Sequence, residues 1–299
     1  MYRSQRLYNQ VKDADFKIFP ICVPSYNRPN PYILKSLDTY PELPIVLFIR
    51  NTLEQKKLYK HCRDKCKIVL LNDVENIGQT RRAIVDWCIQ QRISNIFMLD
   101  DDINELDYLY PHETKNGNTC MRAARQNTGR AYRGINPFVF RMWQKMIRSC
   151  DKRLTISAPA YRPDSWYMKH ANADVKYNNG ACIQCVHLNV RNLYKSKINY
   201  RDTEECGNED YALQFETMSS GLLTCVFTDL MYGCPAVGSH PGGCENASGI
   251  ANVAERYQKY IQLFIKNISG TDHEGIIIKQ TRSSEIPSIK FNWKYWKEE

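Results

Sequence analysis

A short apolar run that stops at three consecutive aspartates constrains this chain more than any other stretch. The run 96–99 has the length and character of a buried strand, and Asp100, Asp101 and Asp102 follow it directly. Adjacent carboxylates repel one another and are costly to bury unless a cation compensates them. Ligands of open α/β sheets bind just outside the carboxyl ends of the strands. Because Mg²⁺ and Mn²⁺ prefer carboxylate oxygens and also bind diphosphate, the pattern favours a metal–diphosphate site. An acidic surface loop is the alternative.

Strands and helices alternate over the first hundred residues. Apolar runs typical of strands cover residues 18–24, 44–49, 67–71 and 96–99, and helical patterns cover residues 31–37, 54–65 and 79–91. This alternation, with its short connections, predicts an α/β fold with a mostly parallel central sheet and helices on both faces. We expect a single large domain at residues 18–270, an N-terminal extension at 1–17 and a basic-aromatic C-terminal tail at 271–299.

Composition excludes several protein classes. The 299 residues are 43% hydrophobic and 24% charged, which is ordinary globular composition rather than that of a disordered or fibrous chain. The formal net charge of +9 favours polyanionic partners such as nucleic acid, an anionic membrane or a nucleotide, without selecting among them. No apolar run has the length of a membrane span, and twelve scattered cysteines fit the reduced thiols of a cytosol. We therefore expect a cytoplasmic protein without a membrane partner.

The second half of the sequence is less regular. Residues 116–133 are rich in Gly, Asn, Thr and Arg and read as a mobile loop, in which Arg122, Arg125 and Arg130 are candidate contacts to donor phosphates or nucleic acid. A solvated charged loop is an equally good interpretation. Residues 137–150 read as a helix and 151–163 as containing a strand. The tail, with interleaved Lys and Trp, either forms a contact surface or packs its aromatic side chains on the domain.

Three motifs, in this order, resemble those of nucleotide-sugar glycosyltransferases of the GT-A fold. They are Val23–Arg28, Glu75–Arg82 and Leu99–Asp102. Their order and spacing are closest to the phage and TET-associated DNA glycosyltransferases, which place sugars on hydroxymethylated pyrimidines. The resemblance covers residues 18 to 240. It implies a nucleotide-sugar donor, with a UDP-sugar taken from the family, and a divalent metal, Mn²⁺ or Mg²⁺.

The resemblance assigns the donor site by position. Residues that would border the nucleotide and its phosphates are Pro24, Ser25, Tyr26 and Arg28, with Tyr26 placed to stack on the base. Asn76 and Gly78 would shape the approach to the donor, and Arg81 would lie beside a phosphate. The second strand is followed by Arg50, Asn51 and Thr52, where many members carry an acidic residue, so the identity of the nucleotide stays open.

The aspartates match the Asp-x-Asp motif of the same family. Asp100 would face the ribose and Asp102 would bind the metal, while Asp101 would support the donor site as a structural carboxylate. His240, in a glycine-rich stretch, falls where many members place a metal-binding histidine. Imidazole suits Mn²⁺ better than Mg²⁺, although a single histidine is often structural.

Glu209 and Asp210 resemble the acidic pair at the start of a helix in this family. Asp210 occupies the position of the catalytic base in inverting members, and Glu204 and Glu205 are nearby alternatives. A carboxylate at a helix N-terminus is also favoured by the helix dipole, so capping is the simpler explanation. The two uses are compatible.

Together these features predict a phage-encoded, metal-dependent enzyme of the host cytoplasm. It would move a sugar onto 5-hydroxymethylpyrimidine, or onto already glycosylated hydroxymethylcytosine, in DNA. The acidic pair favours inversion, although retaining enzymes share the fold, so the stereochemistry is left open. One alternative acceptor is a surface glycan or lipid-linked sugar. Others are a non-catalytic nucleic-acid-binding protein on a degenerate fold and a nucleotidyltransferase, because strand-end carboxylates also serve phosphoryl transfer. The oligomeric state is left open.

Overall fold

The structure is a computed structural model. It describes residues 2–13, 17–38, 40–113, 116, 119–123, 134–161, 174–202, 209–235, 275–279 and 288–296. Within this part of the chain, one sheet of nine strands has the order β3-β2-β1-β4-β8-β7-β9-β5-β6. The strands are β1 (Ile21–Pro24), β2 (Ile45–Arg50), β3 (Lys67–Leu71), β4 (Asn95–Leu99), β5 (Glu105–Glu113), β6 (Thr119–Ala123), β7 (Leu154–Tyr161), β8 (Cys185–Asn189) and β9 (Leu223–Gly233). A separate antiparallel pair consists of β10 (Ile276–Lys279) and β11 (Ser288–Phe291).

The α/β class is confirmed, and the parallel pairing holds for the half of the sheet built by β3, β2, β1 and β4. The other half is mixed. β8 runs antiparallel to both β4 and β7, β7 and β9 are parallel, and β5 is antiparallel to β9 and β6. Parallel neighbours need a crossover of a dozen or more residues, so the short connection after residue 113 permits only an antiparallel partner. β6 is that antiparallel partner of β5. Residues 119–123 of the predicted loop 116–133 are therefore a strand.

Seven α-helices and two 3₁₀ segments accompany these strands in the described residues. The helices are α1 (Arg3–Val11), α2 (Leu53–Leu58), α3 (Ile77–Gln90), α4 (Phe138–Arg148), α5 (Val190–Lys195), α6 (Glu209–Ser219) and α7 (Trp293–Trp296), and the 3₁₀ segments are Tyr32–Asp38 and Lys60–Cys62. The predicted helix 54–65 is therefore divided between α2 and a 3₁₀ turn. Asn76 caps α3, because its side chain accepts a hydrogen bond from the backbone N–H of Gln79.

Helices cover both faces of the sheet, as predicted. Alternate residues of β4 point to opposite faces. Phe97 belongs to one buried cluster and packs against Trp143 of α4, with 4.7 Å between ring centroids. Met98 belongs to the other cluster, which includes Ile84 of α3. Burial on both faces fixes the register of β4 and therefore the position of the aspartates at its end.

The described parts of the tail pack on α6. Phe291 and Ile276 join Phe215 in a third buried cluster, and the rings of Tyr211 and Phe291 stack at 5.4 Å. Trp296 meets Phe215 edge-on, also at 5.4 Å. Packing on the domain, the second of the two interpretations of the tail, therefore describes these residues. The division at residues 17 and 270 stays a prediction. None of the helices in the described ranges has the length and apolar character needed to cross a membrane.

Candidate active site

The carboxyl ends of β1 and β4 meet at one edge of the sheet, because the two strands are parallel neighbours. This brings the turn 25–28 against the turn 100–102. A side-chain hydrogen bond from Ser25 Oγ to Asp101 Oδ2, 2.6 Å long, joins the two turns, and a backbone bond of 3.1 Å from Tyr32 N, just beyond the first turn, also reaches Asp101 O. The first and third sequence motifs are therefore in contact, at the edge where ligands of α/β folds bind.

Asp101 holds the turn after β1 in place. Its carboxylate accepts a hydrogen bond from Ser25 Oγ at 2.6 Å and pairs with the Arg28 guanidinium. Ser25 Oγ also lies 2.7 Å from Tyr59 Oη, which accepts a hydrogen bond from Arg28 N. Burial raises the pKa of Asp101 to about 7, although Arg28 and Ser25 oppose the shift. Asp101 and Ser25 are thus both engaged internally and nearly buried, which leaves them as supports of the site.

Arg81 connects the strand-end aspartates to the acidic pair. Its Nη2 donates to Asp100 Oδ1 at 2.6 Å, while Nη1 donates to Glu209 Oε1 at 2.8 Å and to Asp210. The side chain is only 4% exposed. Burial alone would lower the pKa of Arg81, but the three carboxylates outweigh it and hold that pKa well above its ordinary value. The contact of Arg81 with a phosphate stays a prediction: its Nη1 and Nη2 atoms are shared among carboxylates, and its Nε is buried without a hydrogen-bond partner.

The cluster carries an excess of negative charge. Five carboxylates, those of residues 100–102, 209 and 210, face the two guanidinium groups of Arg28 and Arg81. Burial raises the pKa of Asp100 to about 6 and that of Glu209 to about 7, with Arg81 opposing both shifts. Such a cluster repels a diphosphate unless a further cation lies between them.

Asp102 has the chemistry of a metal ligand. Its side chain is 32% exposed, its Oδ2 lies 3.5 Å from Arg28 Nη1, and its Oδ1 is buried without a hydrogen-bond partner. An unpaired carboxylate oxygen beside excess negative charge fits a divalent cation. No group of three His, Cys, Asp or Glu side chains able to hold a metal occurs in the described ranges. His240, the other predicted ligand, lies outside them.

The predicted nucleotide contacts line the same edge on the side of β1, β2 and β3. Tyr26 follows Pro24 at the end of β1 and is 38% exposed, but Arg50 covers one face of its ring at 4.0 Å. A base would therefore stack on the opposite face of Tyr26 or on the guanidinium itself. Asn76 and Gly78 lie at the start of α3, where Asn76 Nδ2 donates to Asp202 Oδ1 at 2.7 Å.

The family model for TET-associated glycosyltransferases matches residues 19–242. The chain belongs to the TET-associated glycosyltransferase family. It is therefore a glycosyltransferase, as predicted, and its α/β sheet agrees with the GT-A fold that the sequence motifs indicate. None of the curated proteins compared with the chain matches it.

Solved structures show distant likeness. A crystal structure of GalNAc-T7 with UDP, GalNAc and Mn²⁺ is 11% identical over 87% of this chain, with a TM-score of 0.48. This chain spans about half of that protein, 51% of its length. A cytidylyltransferase from Leptospira borgpetersenii is 8% identical over 86% of this chain and 99% of its own, with a TM-score of 0.39. A mannose-1-phosphate geranyltransferase from Thermus thermophilus is 9% identical over 73% of this chain and 74% of its own, with a TM-score of 0.36.

Two residues of the TET-associated glycosyltransferase site escape sequence reasoning. Tyr59 contacts Ser25 and Arg28 in the turn after β1. It lies in a polar helical stretch, and the pattern of that stretch does not predict this contact. Asp202 accepts hydrogen bonds from Asn76 and, at 2.6 Å, from Gln79 Nε2, so it fixes the start of α3. Both contacts join residues far apart in sequence, and no local motif encodes them.

The predicted nucleic-acid contacts are described only in part. Arg122 lies in β6, where its backbone pairs with that of Tyr110, and Arg125 and Arg130 lie outside the described residues. Glu204 and Glu205, the alternative bases, also lie outside them. The role of these five side chains stays a prediction.

Proposed function

We propose that this glycosyltransferase moves a sugar from a UDP-sugar onto a hydroxymethyl group of DNA. The acceptor would be a 5-hydroxymethylpyrimidine or an already glycosylated hydroxymethylcytosine, in the cytoplasm of a phage-infected bacterium. Family membership supports the transfer of a sugar, and the net charge of +9 favours a polyanionic acceptor. The observation that carries the proposal is the convergence of Asp100, Glu209 and Asp210 on Arg81.

The donor would lie along the edge from β3 to β4. Tyr26 and Arg50 offer an aromatic face and a planar cation to the base, and Arg28 faces the strand-end aspartates. Its Nε is buried without a hydrogen-bond partner, so Arg28 has a donor to offer a phosphate oxygen. These side chains would fix the nucleotide while the sugar points toward Asp210.

Asp102 would hold the divalent metal, with Mn²⁺ the better candidate if His240 is a second ligand. A bound metal ion would neutralise the charge that develops on the diphosphate as the sugar departs. The buried, unpaired Oδ1 of Asp102 and the excess negative charge of the cluster support this assignment. Asp101 would keep Arg28 oriented beside it.

Asp210 would act as the base. The bond from the anomeric carbon to the diphosphate oxygen breaks, and UDP leaves. A bond from the same carbon to the acceptor oxygen forms. The proton of the acceptor hydroxyl passes to the Asp210 carboxylate, and the configuration inverts. Arg81 orients the carboxylate, and Glu209, which is the more buried of the pair, shares the same guanidinium.

The experiment is a transfer assay with mass measurement. The protein is incubated with Mn²⁺, a panel of nucleotide sugars and DNA that contains hydroxymethylcytosine, bare or already glucosylated, and the DNA is then digested to nucleosides. A gain of one sugar mass is expected with the wild-type protein, and Asp102→Asn and Asp210→Asn should each lower its rate at least about tenfold. A matched control is Asp86→Asn on the outer part of α3.

Three outcomes would overturn the proposal or one of its parts. Transfer to saccharides with none to hydroxymethylated DNA would replace the acceptor, and release of pyrophosphate in place of UDP would replace the reaction class. Equal activity of wild type and the Asp102 and Asp210 variants would remove the assigned roles of those residues.

A further inference from the structure

A group of side chains next to the aspartates has no part in the donor site. Tyr161 ends β7, Cys234 follows the end of β9, and Gln184 precedes β8. β7 and β9 are parallel, with Tyr161 opposite Tyr232 in the register. Gln184 O accepts a hydrogen bond from Asp100 N at 2.8 Å. The three residues therefore share the edge of the sheet on which the aspartates lie, on the side away from β1, β2 and β3.

These side chains contact one another. Cys234 Sγ lies 3.8 Å from Tyr161 Oη and 3.6 Å from Gln184 Oε1, so the thiol bridges the phenol and the amide. The ring of Tyr161 packs against Tyr232, with 5.3 Å between centroids, and Tyr232 Oη donates to the carbonyl of Ile183 at 3.1 Å. The group therefore lies at the ends of β7, β8 and β9. The ring of Tyr232, fixed by its hydrogen bond, packs behind the ring of Tyr161.

Tyr161 is exposed where its strand is otherwise buried. The seven preceding residues of β7 are all buried, whereas Tyr161 is 40% exposed. The pKa of its phenol is raised by the hydrogen bond to Cys234, by partial burial and by the negative charge of Asp102. That charge also contributes to a raised pKa of Cys234, for which burial is the main cause. Tyr161 therefore adds an exposed aromatic surface to the edge of the sheet at which Gln184 is bonded to Asp100.

Gln184 has an unfavourable backbone conformation. Its φ is +58°, in the left-handed region that favours glycine. Residues other than glycine adopt this conformation mainly where the surrounding structure fixes them, and such positions are frequent at ligand sites. Here the backbone bond to Asp100 and the contact with Cys234 fix the residue, and its amide offers both a donor and an acceptor.

We propose that Tyr161, Gln184 and Cys234 form the acceptor subsite of this glycosyltransferase, which takes a single unstacked hydroxymethylpyrimidine. Tyr161 stacks on the pyrimidine ring, Gln184 hydrogen-bonds to the edge of the base, and Cys234 holds the two side chains together. The target base leaves the helical stack to reach them. This inference rests on the proposed function, because it places the acceptor across Asp102 from the donor nucleotide.

The test measures acceptor affinity separately from donor use. A short single-stranded oligonucleotide with one 5-hydroxymethylcytosine serves as acceptor, and its KM is measured together with kcat. Release of UDP from the donor without acceptor is measured in parallel with Mn²⁺. The variants are Tyr161→Ala, Tyr161→Phe and Gln184→Gly. The control is Tyr194→Ala, an exposed tyrosine on α5, which follows the opposite end of β8.

The subsite predicts a specific pattern. Tyr161→Ala should raise the KM for the oligonucleotide about 5- to 150-fold, as expected for one lost base–aromatic stack, while Tyr161→Phe stays near wild type. Gln184→Gly should also raise this KM. The melting temperature of the variant should equal or exceed that of the wild-type protein, because glycine accepts a positive φ. UDP release without acceptor should be unchanged in the control Tyr194→Ala, and in the other variants it measures donor use separately from acceptor binding. If Gln184 had only a structural role, Gln184→Gly would not raise the KM for the oligonucleotide while its melting temperature stayed equal or rose.

The failures are distinguishable. If the wild-type protein modifies the oligonucleotide and Tyr161→Ala leaves its KM unchanged, the subsite is wrong and the proposed function stands. If the wild-type protein uses a UDP-sugar but modifies only saccharides, the pyrimidine acceptor is wrong for both. If no nucleotide sugar is used at all, the proposed function itself fails.

Discussion

Replacement of Arg81 by methionine tests the energetics of the site most directly. Arg81→Met keeps most of the side-chain volume but leaves Asp100, Glu209 and Asp210 without their shared cation, at a place where the guanidinium is only 4% exposed. Removal of one partner from a buried ion pair costs about 3–5 kcal/mol. With an m-value of about 3 kcal/mol/M, the urea midpoint should fall by about 1–2 M.

The loss should depend on pH, and its sign follows from Glu209. Burial raises the pKa of Glu209 to about 7 in the folded protein, so its ionised form already opposes folding, and without Arg81 this pKa rises further. The penalty is therefore full above that pKa. It decreases as the pH falls through about 7, below which the folded carboxyl is protonated with or without Arg81.

The assay is urea unfolding followed by circular dichroism at pH 8 and pH 5. The control is Arg82→Met, which removes one hydrogen bond from Nε to the carbonyl of Tyr200, at a cost of about 1 kcal/mol. Glu209→Gln added to Arg81→Met should recover part of the loss at pH 8. A loss below about 1 kcal/mol at pH 8, or one that grows at pH 5, would refute the reasoning.

Three further predictions concern stability. Burial lowers the pKa of His187 to about 3, so folding should weaken as the pH falls below about 6.5, by about 2 kcal/mol at pH 5, and His187→Gln should flatten this dependence in urea titrations. Phe291→Ala should destabilise the protein by about 3–5 kcal/mol in thermal melts, because the ring is buried against α6; a loss near zero would mean that the tail is not packed. Asn76→Ala should cost about 2 kcal/mol in urea titrations through loss of the cap of α3 and of the hydrogen bond to Asp202, and Asn76→Asp should not restore wild-type stability, because it keeps the cap but sets a second carboxylate against Asp202.

The sequence indicates most of the parallel half of the sheet and the position of the aspartates at the end of β4. The run that ends at Leu99 is buried on both faces, and such runs are recognisable because their apolar character is local. The contact of Arg81 with Glu209 is different, because the two residues are 128 positions apart and only the folded chain brings them together. The antiparallel half, including β6, depends on tertiary pairing that no single segment determines.

The site residues also fall into two groups: those that a local pattern predicts and those that only the folded chain brings together. Asp100 and Asp102 are placed by the strand that precedes them, so their proximity to the turn after β1 is predictable from the parallel alternation. Tyr59 and Asp202 act at the site through contacts that their own sequence surroundings do not reveal. Their roles follow from distance in space rather than from spacing in the chain.

The packing of the tail on α6 has a consequence for protein synthesis. Ribosomes make the chain from its N-terminus, so residues 19–242, which carry the family match, emerge before β11 and α7. Until Phe291 and Trp296 have been made, Phe215 and Met218 of α6 lack these aromatic partners, whereas Leu213 on the same helix already belongs to the cluster built on the sheet. A chain that stops before Phe291 would keep the ion pairs of Arg81 with Glu209 and Asp210 but lose this apolar packing of α6. The firm placement of Asp210 would then wait for aromatic residues that leave the ribosome well after α6.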